Sequence, residues 1–332
     1  VGRAMTVKGR VSIVIPARNE RFLVPTITGL LAAAAGDVEI IPVLDGRMSN
    51  GRFQELPDDP RIRPIFKDEP EGMRPAINDG AAAATGEFLL KADGHVILGP
   101  GYDAILKADC DYDWVVVPTR HSIDPETWTM KPRSFNYTIL TYPFLPSMYG
   151  AGFHAVTFPW DQNKVVNAQR EALPVDDIIG AQGSIWFQHT AYFRGFPPLD
   201  HERLYFYQEN QEVTLRILAS GGRSVINKKT WGAHYHKGKE NVGADGRPGR
   251  GFYLDVRRKR QSEAQIVDWC LNGWPAYWGP TTRSFESIVQ QHWWLISQMQ
   301  DTRYAWPTDW RDWTKHRTWF ESRTPAEIPA HT

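Results

Sequence analysis

Asp93-Gly94-His95 sets a carboxylate and an imidazole two positions apart. Side chains so spaced on a turn can face one divalent cation. An oxygen-and-nitrogen donor set suits manganese or a similar ion better than calcium. Taken alone the pair is a weak signal, because aspartate and solvated histidine are common in ordinary turns. Its position strengthens it, since it directly follows the apolar run Phe88-Leu-Leu-Lys-Ala92. A third ligand is on offer in Trp231-Gly-Ala-His-Tyr-His236, from His234 or His236. The plain alternative is a pair of surface histidines in a basic loop. Gln208-Glu209-Asn210-Gln211-Glu212 opens an expected helix. Acids are favoured there by the helix dipole alone. A functional reading puts Glu209 and Asn210 at the mouth of a site.

The elements that must hold these residues alternate. Val11 to Ile15 predicts a buried strand stopped by Pro16, and Leu23, Ile27, Leu30 and Leu31 trace one helix face. Val38 to Leu44 predicts a second strand ending in Asp45-Gly46, and Arg61 to Phe66 a third. Met73 to Thr85 predicts an Ala-rich helix closed by Gly86, before the strand that leads into Asp93. Alternation of this kind implies an α/β fold with a mostly parallel sheet flanked by helices. Ligands of such sheets bind beyond the carboxyl ends of the strands, where Asp45 and Asp93 fall. Residues 119–180 show weak periodicity and predict long loops. A strand over Gly183 to Phe187, a helix over Glu209 to Ala219 stopped by Gly221-Gly222, and a strand over Arg223 to Ile226 follow. Residues 227–252 read as a basic, Gly-rich loop, and Phe285 to Met299 as an amphipathic helix opening a Trp-rich helical extension. The expected division is a catalytic domain over 1–252 and a C-terminal extension over 253–332.

Composition limits the classes. The chain has 332 residues, 42% hydrophobic and 23% charged, which is ordinary globular usage. No apolar run approaches 18 residues and no secretory leader is evident, so neither a membrane span nor export is expected. Two cysteines, Cys110 and Cys270, make no disulfide framework, and a cytoplasmic location is the expectation. Basic and acidic residues balance at 38 each, yet Arg216 to Arg260 holds 12 of the former and three of the latter. Basic residues among aromatics recur in the tail at Trp306, Trp310, Arg311, Trp313, Lys315, Arg317 and Trp319. That mixture suits a nucleic acid, with charges on phosphates and rings on bases. A solvated helix face and Trp packing on the core explain it equally well.

These motifs, in this order, resemble the nucleotide-sugar-dependent glycosyltransferases of the GT-A fold. Ile15-Pro-Ala-Arg-Asn-Glu20 and Val38 to Gly46 look like family 2 openings. Within the fold the chain is most similar to the polypeptide N-acetylgalactosaminyltransferases. Asp93 and His95 match their Asp-x-His, Tyr207 to Glu212 matches the acidic part of their Gly-Gly-Glu-Asn-x-Glu segment, and His234 falls on their metal histidine. Phe206, Tyr207 and Gln208 depart from that pattern by replacing a tryptophan and two glycines.

The resemblance implies a UDP-sugar donor and a Mn2+ (or Mg2+) ion on Asp93, His95 and His234. It places the donor against Pro16, Ala17, Arg18, Glu20, Asp45, Gly72, Arg74, Asp93 and Gly94. Arg74 would add a second positive charge, and Asp45 would accept a hydrogen bond from base or ribose. Glu209 and Asn210 would be catalytic. Inverting relatives keep an Asp base where this chain has Asn210, and an amide takes no proton at neutral pH, so retention is expected, with Glu212 as an alternative base. Phage-type relatives that glycosylate hydroxymethylated pyrimidines make DNA the expected acceptor, reached through 227–260 and the Trp/Arg-rich tail. Protein Ser/Thr or a cell-envelope glycan are the alternatives. A nucleotide-sugar-binding module without catalysis and a nucleotidyltransferase are the competing classes. The latter normally has a Gly-rich phosphate loop after its first strand, and Pro16 to Glu20 has no glycine.

Overall fold

The computed structural model describes residues 6–140, 144–147, 150–152, 155–159, 168–202, 208–237, 242–246 and 268–296. Unbroken apolar runs near the N-terminus form strands buried on both faces, as a covered parallel sheet requires. These are β1 (Val7–Ala17), β2 (Val38–Asp45), β3 (Ile65–Lys67) and β4 (Gly86–Ala92), parallel in the order β3-β2-β1-β4. Neighbouring residues divide between the two faces. Ile13, Ile40 and Leu90 pack with Leu23, Ile27 and Leu30 of α1 (Leu23–Ala33), whereas Val14, Ile41 and Leu89 pack with Ala76, Ile77 and Ala81 of α2 (Met73–Ala83).

Beyond β4 the pairing changes direction. A short β5 (Val96–Leu98) and α3 (Tyr102–Ala108) lead to a long antiparallel hairpin, β6 (Trp114–Asp124) and β7 (Thr129–Leu140). The pair β8 (Phe144–Ser147) and β9 (Gly150–Gly152) stands apart, and β10 (Ala155–Pro159) joins β7. After α4 (Ala168–Glu171) and β11 (Val175–Asp177), β12 (Ile185–His189) inserts between β4 and β6, antiparallel to both. Next come α5 (Thr190–Gly195), α6 (Glu209–Ala219) and β13 (Arg223–His234). β13 runs parallel to β6 and antiparallel to β5 and β11. The helices Trp274–Trp278, Phe285–Gln291 and Trp293–Ile296 bury Trp274, Ile288, Val289, Leu295 and Ile296 in the same core as α6. No helix among the described residues is long and apolar enough to cross a membrane.

Several local expectations need correction. Pro16 does not stop β1, because β4 pairs with β1 only as far as Val14↔Lys91 and leaves Pro16 beyond that ladder. Gly86 opens β4 instead of closing a helix; a Cβ there would lie 2.6 Å from the Arg10 carbonyl oxygen. Residues 119–140, expected as loop, are most of β6 and all of β7. The expected basic loop is strand as far as His234, and the expected long C-terminal helix breaks at His292. Met299, Arg257 to Arg260 and the Trp-rich tail lie outside the described residues.

A buried carboxylate ties three of the parallel strands. Glu39 on β2 accepts hydrogen bonds from Ser12 Oγ (2.5 Å), Thr85 N (2.6 Å), Thr85 Oγ1 (2.8 Å) and Arg63 Nη1 (2.5 Å). Burial pushes its pKa up, but these donors outweigh burial and hold it below the usual value. A depressed folded-state pKa stabilises above the unfolded value, and that stability is lost as pH falls through the folded one. Glu39→Gln is therefore expected to cost about 1–3 kcal/mol at neutral pH. It should also lessen the loss of stability below pH ~4.5, the ordinary glutamate value. Urea denaturation of both proteins at neutral and acid pH measures both effects; an unchanged acid response would assign the sensitivity to another group.

Candidate metal centre and active site

The register of the sheet assembles the cluster. Asp93 leaves the end of β4 with its N–H bonded to the Ser184 carbonyl at 2.8 Å. His95 sits one residue before β5, and β13 pairs with β5 so that His234 lies opposite Val96. Two histidines 139 positions apart are thus neighbours, with ring centroids 4.8 Å apart. His234 Nε2 lies 3.2 Å and His95 Nε2 3.8 Å from the same atom, Asp93 Oδ2. One ligand atom from each of the three residues falls within 4.8 Å of the others.

The surroundings prepare each ligand. Lys91, almost wholly buried, holds the other Asp93 oxygen, Oδ1, at 2.5 Å and donates to the Gly183 carbonyl. Burial works to raise the Asp93 pKa, but the Lys91 ammonium and the imidazoles keep the carboxyl well below its usual range. His95 Nδ1 lies 3.0 Å from Glu20 Oε2, which directs Nε2 toward Asp93. Lys237 pairs with the same Glu20 oxygen. Burial pushes the His234 pKa down to about 3, so the ring is neutral, as a metal ligand must be. Its two ring nitrogens are buried without a hydrogen-bond partner, since Asp93 lies off the line of a good bond. Orphaned buried imidazole nitrogens beside an ionised carboxylate fit a divalent ion.

Glu209 and Asn210 begin α6 on the other side of Gly183. Glu209 is buried and accepts a hydrogen bond from Trp186 Nε1, and burial raises its pKa against the pull of Lys91. Asn210 Nδ2 donates to the Ala181 carbonyl at 2.9 Å, which turns Oδ1 toward Gly183. Gln208 stands in the left-handed region at φ 68°, a conformation that glycine adopts without strain. Gln208 thus takes a glycine-like backbone conformation where the resembling motif has a glycine.

The other expected residues are placed unevenly. Pro16, Ala17 and Arg18 lie at the carboxyl end of β1, level with Asp45 on β2. Gly94 is where Glu20 packs, and a Cβ there would come within 2.7 Å of Glu20 Cγ. Glu20 itself faces His95 and Lys237, so one of its direct partners is a candidate ligand of the centre. Both Asp45 oxygens are taken by the N–H groups of Glu71 (2.7 Å) and Gly72 (2.9 Å), which fixes the entry to α2. Arg74 is fully buried and paired with Glu212, itself fully buried, so the pair's charges are matched within the fold. Lys228 and Lys229, expected in a free basic loop, sit on β13, where Lys229 pairs with Asp109 and Lys228 bonds the Arg170 carbonyl.

Lys91 and Trp186 escaped the sequence reading. A lone lysine in the otherwise apolar run Phe88 to Ala92 was the available signal for the first. Trp186 looked like any core aromatic, and only its Nε1 contact with Glu209 distinguishes it. His236, the other candidate ligand, is drawn toward Arg120 at 2.7 Å.

Residues 12–168 match the family model described as glycosyl transferase family 2. An uncharacterized glycosyltransferase of Nostoc sp. is 36% identical over 97 residues, which is 27% of this chain and 30% of that protein. The crystal structure of GalNAc-T7 with UDP, GalNAc and Mn2+ superposes with a TM-score of 0.59 at 15% identity, covering 89% of this chain and 57% of that one. The chain thus spans about a third of the curated relative and somewhat over half of the solved one. At that identity the second likeness concerns the fold. Residues 12–168 are accordingly similar to glycosyl transferase family 2, and the chain has the GT-A fold shared with GalNAc-T7.

Proposed function

We propose that the protein is a metal-dependent glycosyltransferase that moves a sugar from a UDP-sugar to a hydroxyl acceptor. The observation that carries this reading is the convergence of Asp93, His95 and His234 at the carboxyl edge of the parallel strands. The UDP and Mn2+ in the GalNAc-T7 structure support the choice of donor and ion. Asp93, His95 and His234 would hold Mn2+ or Mg2+, which when bound supplies positive charge against the departing diphosphate.

The chain's own residues define the rest. In the proposed reaction the bond from sugar C1 to the phosphate oxygen breaks and a bond from the acceptor oxygen to C1 forms on the same face. The acceptor proton passes to the leaving phosphate oxygen. Asn210 offers a carbonyl dipole toward Gly183 and no base, which favours this retaining course. Glu209, held by Trp186, adds negative potential near the developing positive charge on the sugar. Glu212 is a poor substitute base because Arg74 already pairs with it.

The acceptor belongs to the proposal as well. A hydroxymethylated pyrimidine in DNA is supported by the basic composition beyond His236, by Arg257-Arg-Lys-Arg260 and by the Trp/Arg-rich tail. Lys228 and Lys229 no longer contribute to that case. The division into a catalytic part over 1–252 and an acceptor-binding extension over 253–332 is part of the same reading.

Three measurements test these steps. Calorimetry should show UDP binding strengthened by Mn2+ and insensitive to Mn2+ in Asp93→Ala and His234→Ala; unchanged UDP affinity and turnover in EDTA would exclude the metal-site reading. The anomeric coupling constant of the product, read by NMR, should match that of the donor, and an inverted product would require a base that Asn210 cannot be. DNA affinity should fall with salt at a log–log slope of roughly −0.9 per phosphate contact. Reversing the charge of Arg257, Arg258, Lys259 and Arg260 should then raise the KM for DNA and leave donor hydrolysis alone. Negligible DNA binding at low salt would move the acceptor to protein or glycan.

A further inference from the structure

The proposed centre has an unusual charge balance for a site meant to hold a dication. Its single carboxylate ligand, Asp93, is already ion-paired: Oδ1 lies 2.5 Å from Lys91 Nζ, and only Oδ2 faces the two imidazoles. The carboxylate behind His95, Glu20, is likewise paired, with Lys237. Asp93 and Glu20 thus each carry a paired ammonium group beside the position where the ligand atoms converge, and the buried Glu209 carboxylate also acts electrostatically on Lys91. Lys91 is almost wholly buried on β4 and is anchored a second time by the Gly183 carbonyl, so it cannot swing away when a cation arrives.

Resting on the glycosyltransferase reading, we infer that Lys91 is a positioning residue that makes the metal and the diphosphate bind as a pair. Two consequences follow from its contact. With Oδ1 engaged, Asp93 offers a cation one oxygen only. With its charge offset, the site attracts a dication weakly until a nucleoside diphosphate brings compensating negative charge. Coupling of this kind is reciprocal: whatever factor the diphosphate adds to metal affinity, the metal adds to diphosphate affinity. A centre with an unpaired carboxylate would instead keep its ion whether or not nucleotide is present.

The test titrates Mn2+ into the intact protein, followed by electron paramagnetic resonance, with and without saturating UDP. Calorimetry of UDP with and without Mn2+ supplies the reciprocal arm. The unaltered protein should bind Mn2+ at least tenfold more tightly with UDP than without. In Lys91→Met, Mn2+ alone should bind about tenfold more tightly than in the parent, and the coupling factor should shrink to match. Lys91→Gln, which keeps a hydrogen-bond donor for Asp93 without the charge, should behave in the same way if the methionine variant does not fold. Unchanged Mn2+ affinity and coupling in a folded charge-removing variant overturn the inference and leave the glycosyltransferase reading standing. Equal Mn2+ affinity with and without UDP in the unaltered protein overturns the inference and, by reciprocity, the metal dependence proposed above. Failure of Mn2+ and UDP to bind in any combination overturns both.

Discussion

A carboxylate held among imidazoles at the rim of a hydrophobic sheet stays ionised only if something offsets its burial. Lys91 does this for Asp93, and much of the site is arranged around that pair. Because the lysine arises two residues earlier on the same strand, the strand that delivers the ligand also delivers its counter-charge. Lys91 further reaches the Gly183 carbonyl, while the Asp93 N–H binds the Ser184 carbonyl at 2.8 Å. The polar ends of the pair are thereby fastened to the segment entering β12. Taking the carboxylate away would leave Lys91 buried and unmatched, the situation in which a buried pair costs several kcal/mol to break, whereas Asp93 without the lysine keeps both imidazoles beside it.

That fastening explains why the sheet changes direction at β4. The first half follows from right-handed β-α-β crossovers, which cover both faces and keep the strands parallel. β12 then enters antiparallel beside β4, pairing Ile185 with Ala92 and His189 with Phe88. An antiparallel neighbour begins where β4 ends, so its entry segment lies against Asp93. From there the chain continues through α5 to the start of α6, bringing Glu209 and Asn210 within reach of Gly183. The proposed metal-ligating half and the proposed substrate-facing half of the site meet at one strand junction.

The helix behind the site is held by charges as well as by apolar packing. Arg74 from α2 pairs with Glu212 in the interior, and Trp278 Nε1 lies 3.4 Å from the same glutamate. One turn on, the fully buried Arg216 guanidinium sits 4.4 Å above Phe193 and 4.9 Å from the ring centre of Phe196. These contacts join α2, α5, α6 and the C-terminal helices across the core. Arg74, expected at the donor, makes its ion pair inside the fold.

Local chemistry made much of this legible in advance. Continuous β-branched runs, a Pro in the first turn of α1 and Gly-Gly after α6 marked the elements around the centre, because each acts within a few residues of itself. Asp93 and His95 were readable for the same reason: a two-residue spacing at a strand end nearly dictates their common direction. Other features depend on pairing between distant segments. The choice of His234 over His236 rests on β13 pairing with β5, which sets His234 opposite Val96. β7 carries Lys131-Pro132-Arg133 in its first half, so its pairing with β6 and β10 was needed to define it. Asp45, Arg74 and Glu20 illustrate the remaining limit. A charged side chain has one set of bonds to make, and whether these go to a ligand or to the chain depends on which groups folding brings within about 3 Å.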